Sequence, residues 1–379
     1  MDHADPAWPE GAAGPPEVGA MRHGCRSLVP VALAGALLFG GCTEEPRVSL
    51  GPSADELRRD IAAYVDDTGL DDVRAVLVLV GDRVLVEEYY DATADDYRNV
   101  FSVTKSVLST LVGIAVGEGL LDPTSTLREL LPDHAGDMTP DVAATTLERL
   151  LTMTGGFSDT LTGDPEDLFH QPDWVAASLE SHVGDRSFRY TDRGTHLIAA
   201  ALARATGRSV LDYAREKLFD PLGVDTEPAA EPSPSPDFFT EYDAAGFAWP
   251  VDPQGLHHGW GNLKLRPRDL AALGSLYLHG GTVDRAQVVP ALWTRDATSM
   301  HVPAEGTAEG YGYLWWVGSL DDSPAYMAVG YGGQLVAVVP DRKLVVVVST
   351  HVGEHSTVSD SATTYLVDAI IAPAVRRRR

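Results

Sequence analysis

The chain predicts an α/β fold of the α+β kind: an antiparallel sheet built from both chain ends, flanked by helices, with a mostly helical lobe inserted between them. Two hairpin-like patterns, one near each end, predict the sheet, and a succession of helix-like segments between them predicts the lobe. The third observation is size: 379 residues with 44% apolar content suffice for a large buried core.

In chain order, Asp55 to Val65 has the apolar spacing of an amphipathic helix with acids at its start. Val73 to Val80 is a valine-rich apolar run, turned by Gly81-Asp82-Arg83 into Val84 to Tyr90, which predicts a hairpin. Ser102 to Glu118 and Leu147 to Met153 read as apolar helical segments, the second after a Thr145-Thr146 cap. Trp174 to Leu179, His196 to Thr206 and Val210 to Phe219 are helix-like but more polar. Glu227 to Pro236, with four prolines, predicts a surface loop. A helix opens at Arg268-Asp269-Leu270 and runs to Leu278. Gln334 to Val339 and Leu344 to Ser349 are strand-like runs around Pro340 to Lys343, and Thr357 to Ala372 predicts a closing helix. The folded domain is therefore expected over 55–375, with the lobe at 133–258.

The net charge of −26, from 55 acidic against 29 basic residues, disfavours nucleic acid, because a surface this acidic repels phosphate. The basic run Arg376 to Arg379 reads as a solvated tail. Ahead of the domain, residues 1–20 read as an upstream extension with Met21 an alternative start, and 43–54 as a linker. A basic stretch at 21–26, an apolar run from Leu28 to Phe39 and the small residues Gly40-Gly41 before Cys42 make a secretory signal. The ending Leu38 to Cys42 resembles a bacterial lipobox, which implies lipidation of Cys42 and an anchor on the extracytoplasmic face of the membrane, or secretion; a plain N-terminal anchor is the alternative. The only other cysteine is Cys25, so cleavage at Cys42 leaves no second thiol, no internal disulfide and no cysteine-based metal site.

The chemistry-bearing segment is Phe101-Ser102-Val103-Thr104-Lys105-Ser106. Residues three apart on a helix share a side, so Ser102 and Lys105 touch if Ser102 opens the first turn. The following residues are mostly apolar, and burial of Lys105 would lower its pKa and let it accept the serine proton. Ser-x-x-Lys is common by chance, but only four lysines occur (Lys105, Lys217, Lys264 and Lys343), which makes coincidence rarer. The bland alternative is a lysine snorkelling out of a core helix.

Ser102-Val103-Thr104-Lys105 resembles the Ser-x-x-Lys motif of penicillin-recognising serine enzymes, and Leu147 to Gly156 resembles the L-x-x-L-L-T-M-T-S-G signature of the class C β-lactamase-like family. Arg189-Tyr190-Thr191-Asp192 falls where that family carries Tyr-x-Asn. Phe219 to Val224 resembles its F-x-P-L-G-M, and Gly261-Asn262-Leu263 with Asp269-Leu270 its G-G-L…D-L. Gly330 to Gln334 followed by Val338-Val339-Pro340 resembles the G-Y-G-G-Q…V-x-P of the branch of 6-aminohexanoate-oligomer hydrolases and related esterases.

The resemblance implies a serine hydrolase in which Ser102 forms an acyl-enzyme and Lys105 and Tyr190 share the proton relay, with the choice of base open between them. It implies an oxyanion hole made by the Ser102 N–H and the Gly333-Gln334 strand. Two departures qualify it. Asp192 replaces the usual asparagine, so a carboxylate stands near Lys105, holds it cationic, favours Tyr190 as base and disfavours acidic substrates. Tyr331-Gly332-Gly333 stands where β-lactamases have Lys-Thr-Gly, which removes the lysine that meets a substrate carboxylate. The expected substrates are therefore small esters, amides or peptide-like molecules. A β-lactamase or D-alanyl-D-alanine carboxypeptidase-type peptidase is the second reading, and a non-catalytic cell-surface binding lipoprotein is the reading from another class.

No metal or organic cofactor is expected. His257-His258 reads as a surface loop pair, and Asp66-Asp67 with Asp71-Asp72 as a solvated helix end. Trp315-Trp316 and Trp260 read as packing residues, with Trp260 also placed to line a pocket.

Overall fold

The structure is a computed structural model that describes residues 53–159, 165–235, 238–353 and 358–375. The extension 1–20, the signal-like segment with Cys42, most of the 43–54 linker and the arginines 376–379 lie outside the described residues.

Helix α1 (Ala54–Thr68) is fixed at both ends by local chemistry: Ser53 and Glu56 form a reciprocal capping box, and Gly69 closes it in the left-handed conformation. Strands β1 (Val73–Val80) and β2 (Arg83–Tyr89) form the first hairpin. The other strands of the main sheet come from the far end: β3 (Val302–Pro303), β4 (Gly310–Tyr311), β5 (Trp316–Leu320), β6 (Ser323–Gly330), β7 (Gln334–Val339) and β8 (Leu344–Thr350). They assemble into an eight-stranded sheet in the order β2-β1-β8-β7-β6-β5-β4-β3. Each pairing along it is antiparallel, so the first hairpin docks on the last strand as the two-ended pattern predicts.

Both faces of this sheet are covered. Strands β7 and β8 are buried along their full length, which explains their near-continuous apolar sequences. Alternation sorts the side chains of β1, β7 and β8: Leu77, Val336, Val338, Val345 and Val347 join one core, and Val78, Leu335, Ala337, Val346 and Val348 the other. The second core is closed by Leu57 and Ile61 of α1 and by Leu366, Val367 and Ile371 of the C-terminal helix. The first holds α2 (Val103–Gly117), α3 (Leu147–Leu151), α4 (Trp174–Glu180), α5 (Asp192–Thr206) and α6 (Pro267–Leu278). Helix α6 lies so close to the sheet that a Cβ on Gly274 would sit 2.5 Å from Val345 Cγ1.

Three elements differ from expectation. The hairpin β5–β6 turns on Asp321-Asp322, both at positive φ (+43° and +58°), a turn geometry that glycine or asparagine usually announces. Helix α5 begins at Asp192, a full turn before His196, because Thr191 caps it by accepting the Gly194 N–H. The closing helix begins at Asp360 and continues without a break through Ala374, with its middle turn widened. Among the described residues no helix is long and apolar enough to cross a membrane.

Candidate active site

Helix α2 is buried on every side from Val103 to Ala115, so it runs through the core and delivers its N-terminus to the surface of the first core. Ser102 stands at its N-cap, where a serine ordinarily accepts a helix N–H. Here its backbone is already helical (φ −69°, ψ −7°) and its side chain makes no cap bond, which leaves Oγ for other partners. The preceding Phe101 is forced to φ +46°, an uncommon conformation for a bulky side chain. Two bonds hold it there: the Phe101 N–H donates to Asn99 Oδ1 at 2.8 Å, and the Thr104 hydroxyl donates to the Phe101 carbonyl at 2.6 Å.

Lys105 follows one turn later and is only 1% exposed. Its ammonium carries three donors, and three acceptors meet them. Nζ donates to Ser102 Oγ at 3.1 Å, to Asp192 Oδ1 at 2.6 Å and to the Trp260 carbonyl at 2.9 Å. Burial alone pushes the Lys105 ammonium down, but Asp192 and then Tyr190 outweigh it and hold the group above the ordinary lysine value. The expectation that burial would lower it is corrected: the carboxylate at 192 reverses the sign.

Tyr190 closes the third side. Its ring stacks on Trp316 at 5.7 Å and 13°, and Lys105 Nζ lies 4.8 Å from the ring centroid. Burial pushes its phenol up; Lys105 opposes this, Asp192 reinforces it, and hydrogen bonding with Ser102 and Lys105 opposes it, with a net rise. The resting pair is therefore an ammonium beside a neutral phenol. Asp192 keeps 44% of its side chain open toward solvent.

Sequence reasoning missed what holds this corner. Asp159 accepts the Thr191 hydroxyl at 2.9 Å, the Asp192 N–H at 2.8 Å and the Arg193 N–H at 3.1 Å. It clamps the turn that carries Tyr190 and Asp192 to the start of α5. Its only signal in the sequence is an aspartate just past the Leu147 to Gly156 signature.

The structure brings Ser102, Lys105, Tyr190 and Asp192 together, but not Gly333 and Gln334. The Gly333 N–H donates to Asp360 Oδ1 at 3.1 Å. Gln334 pairs with Gly330 in the ladder and its buried side chain donates to Thr350. Tyr331-Gly332-Gly333 is the turn between β6 and β7, and not a strand along the site. The strand that meets the candidate serine is β6, at Gly330: a Cβ there would sit 2.3 Å from the Val100 carbonyl and 3.2 Å from the Ser102 nitrogen. Tyr331 follows directly, 52% exposed, with its ring 5.7 Å from that of Phe101. No second lysine reaches the site: Lys217 pairs with Glu118 and Glu216, Lys264 is bound by carbonyls at 242 and 245, and Lys343 lies in the β7–β8 hairpin.

His257 and His258 are fully buried, which corrects the surface-loop reading. His258 stacks on Trp260 at 4.7 Å and 11°, within a cluster that includes Trp174 and His196. Trp260 serves both as packing and, through its carbonyl, as a partner of Lys105. Among the described residues no group of three acids, histidines or cysteines is placed to hold a metal.

Comparison with known proteins agrees with this architecture. The beta-lactamase family model matches residues 57–369, and the chain belongs to that family. A 6-aminohexanoate-dimer hydrolase of Paenarthrobacter ureafaciens is 26% identical over 287 residues, which cover 70% of this chain and 66% of that protein, just under two thirds of its length. A penicillin-binding protein homologue from Caulobacter crescentus superposes with a TM-score of 0.64 at 18% identity, over 86% of this chain and 99% of that one. A family VIII carboxylesterase does so at 0.62 and 16% identity, over 85% and 97%. At those identities the two structures speak for the fold.

Proposed function

We propose that the chain is a serine hydrolase that cleaves an ester or a small amide through an acyl-enzyme on Ser102. The observation that carries this reading is a fully buried Lys105 Nζ 3.1 Å from Ser102 Oγ, on a helix start whose serine makes no cap bond. A buried lysine at hydrogen-bonding distance from a serine serves as part of its base once the lysine–tyrosine pair has lost a proton.

In this reading the Lys105–Tyr190 pair loses one proton and then takes the proton of Ser102 as Oγ attacks the carbonyl carbon. The tetrahedral oxyanion is held by the Ser102 N–H, at the point where Gly330 of β6 approaches the helix start. Collapse expels an alcohol or amine, which takes the proton back from the pair. Water attacks the acyl ester by the same route in reverse, releasing the acid and restoring Ser102. Neutral substrates fit best, because the one lysine present is paired with Asp192. The names of the P. ureafaciens hydrolase and the carboxylesterase support amide or ester substrates of this kind.

Labelling of the full chain with a fluorophosphonate and with a fluorescent penicillin tests it. Fluorophosphonate labelling alone supports the esterase or amidase; labelling by both moves the chain to the penicillin-recognising reading; labelling by neither removes the enzyme. We also propose lipid anchoring at Cys42, from the segment 21–42. Palmitate incorporation that survives Cys42→Ala would contradict it.

A further inference from the structure

The turn before Ser102 is held from behind by a chain of side chains that the reaction does not use. The segments 98–104 and 262–265 are zipped together: Asn99 pairs with Lys264, and the Val100 N–H donates to the Leu263 carbonyl at 2.9 Å. At the end of this zipper Asn262 sits at φ +66°, in the left-handed region. The family signature matched at Gly261-Asn262-Leu263 has a second glycine there, the residue that adopts this conformation freely. Asparagine is the side chain that next best tolerates it, and it adds an amide.

That amide is in use. Asn99 Nδ2 donates to Asn262 Oδ1 at 3.3 Å, and Asn262 Nδ2 lies 3.1 Å from His258 Nδ1. The direction of every bond is set by one fixed donor. The Phe101 N–H can only donate, so the Asn99 atom that meets it is Oδ1. Asn99 then turns Nδ2 toward Asn262, which must answer with Oδ1 and present its own Nδ2 to His258. His258 Nδ1 is thereby an acceptor, and the ring carries its proton on Nε2. Burial pushes His258 well below the ordinary histidine value, with His196 and His257 adding to the effect, which agrees with a neutral ring.

We infer that Asn99, Asn262 and His258 form a one-directional hydrogen-bonded strut that holds Phe101 at positive φ and so positions Ser102 for attack. This rests on the reading of Ser102 as nucleophile. The three are positioning residues: none touches Oγ. His258 is anchored by its stack on Trp260, whose carbonyl also accepts a hydrogen bond from Lys105 Nζ, so nucleophile and base are referred to one rigid support.

The test uses Asn262→Gly, which keeps the backbone conformation and removes only the amide, with Asn99→Ala as a second break in the strut. Fluorophosphonate labelling and ester turnover are measured on the full chain, with the His258 ring nitrogens observed by 15N NMR. The expected result is labelling and kcat lowered about tenfold with KM unchanged, as for a small misplacement of a reacting group. Wild-type His258 should show protonated Nε2 and bare Nδ1, and Asn262→Gly should lose that tautomer preference. Wild-type labelling with equal labelling of both variants overturns the strut, as does a wild-type His258 protonated at Nδ1. Absence of wild-type labelling instead overturns the nucleophile itself.

Discussion

Lys105 Nζ lies 2.6 Å from Asp192 Oδ1, closer than its 3.1 Å to Ser102 Oγ. A carboxylate, and not the candidate nucleophile, is the nearest partner of the candidate base.

The pH dependence follows from that pair. A base must first lose a proton, and both Lys105 and Tyr190 are held above their ordinary values, so turnover should rise from neutral toward alkaline pH. Asp192→Asn removes the anion that raises Lys105. Its deprotonated form then appears at lower pH, and the rising limb of the kcat/KM profile should move down. An unmoved limb, or one moved up, would show that Asp192 does not control the base.

Asp159→Ala should loosen the turn at 190–193, since the carboxylate takes three hydrogen bonds there. A fall in kcat/KM of about 10- to 100-fold is expected, with about 1–2 kcal/mol of stability lost as for a helix cap. Asp159→Asn keeps an acceptor and should lose less. Steady-state kinetics and urea melts of the two variants check both numbers.

Gly330→Ala tests the meeting of β6 with Ser102. The added methyl would lie 2.3 Å from the Val100 carbonyl, a backbone atom that cannot step aside cheaply. The expected cost is about 1–3 kcal/mol of stability, as for other overpacked sites, together with slower fluorophosphonate labelling. Wild-type labelling and stability in the variant would mean that strand and serine are not in close contact.

Much of the frame was legible because it depends on periodicity. The apolar runs at Val73 to Val80, Gln334 to Val339 and Leu344 to Thr350 are strands because both sheet faces are covered. Ser102 and Lys105 were legible because three-residue spacing on a helix is local. What escaped depends on contacts distant in sequence. The β5–β6 hairpin hid behind an Asp-Asp turn. The burial of His257 and His258 depends on Trp249 packing against the first and Trp174 and Trp260 against the second. The partner of the Gly333 N–H is Asp360, 27 residues on, and no local pattern announces it. The cationic Lys105 was legible from Asp192 standing in place of asparagine, which outweighs the lowering expected from burial; the 2.6 Å separation was not.

An acyl group that passes through Ser102 can be trapped there. The full chain is mixed with a slowly deacylating p-nitrophenyl ester, quenched in acid, digested and mapped by mass spectrometry. The acyl mass is expected on the peptide that contains Ser102, with turnover lowered at least about a thousandfold in Ser102→Ala. Ester turnover that persists in Ser102→Ala, or an acyl group mapped to another residue, would contradict the acyl-enzyme on Ser102.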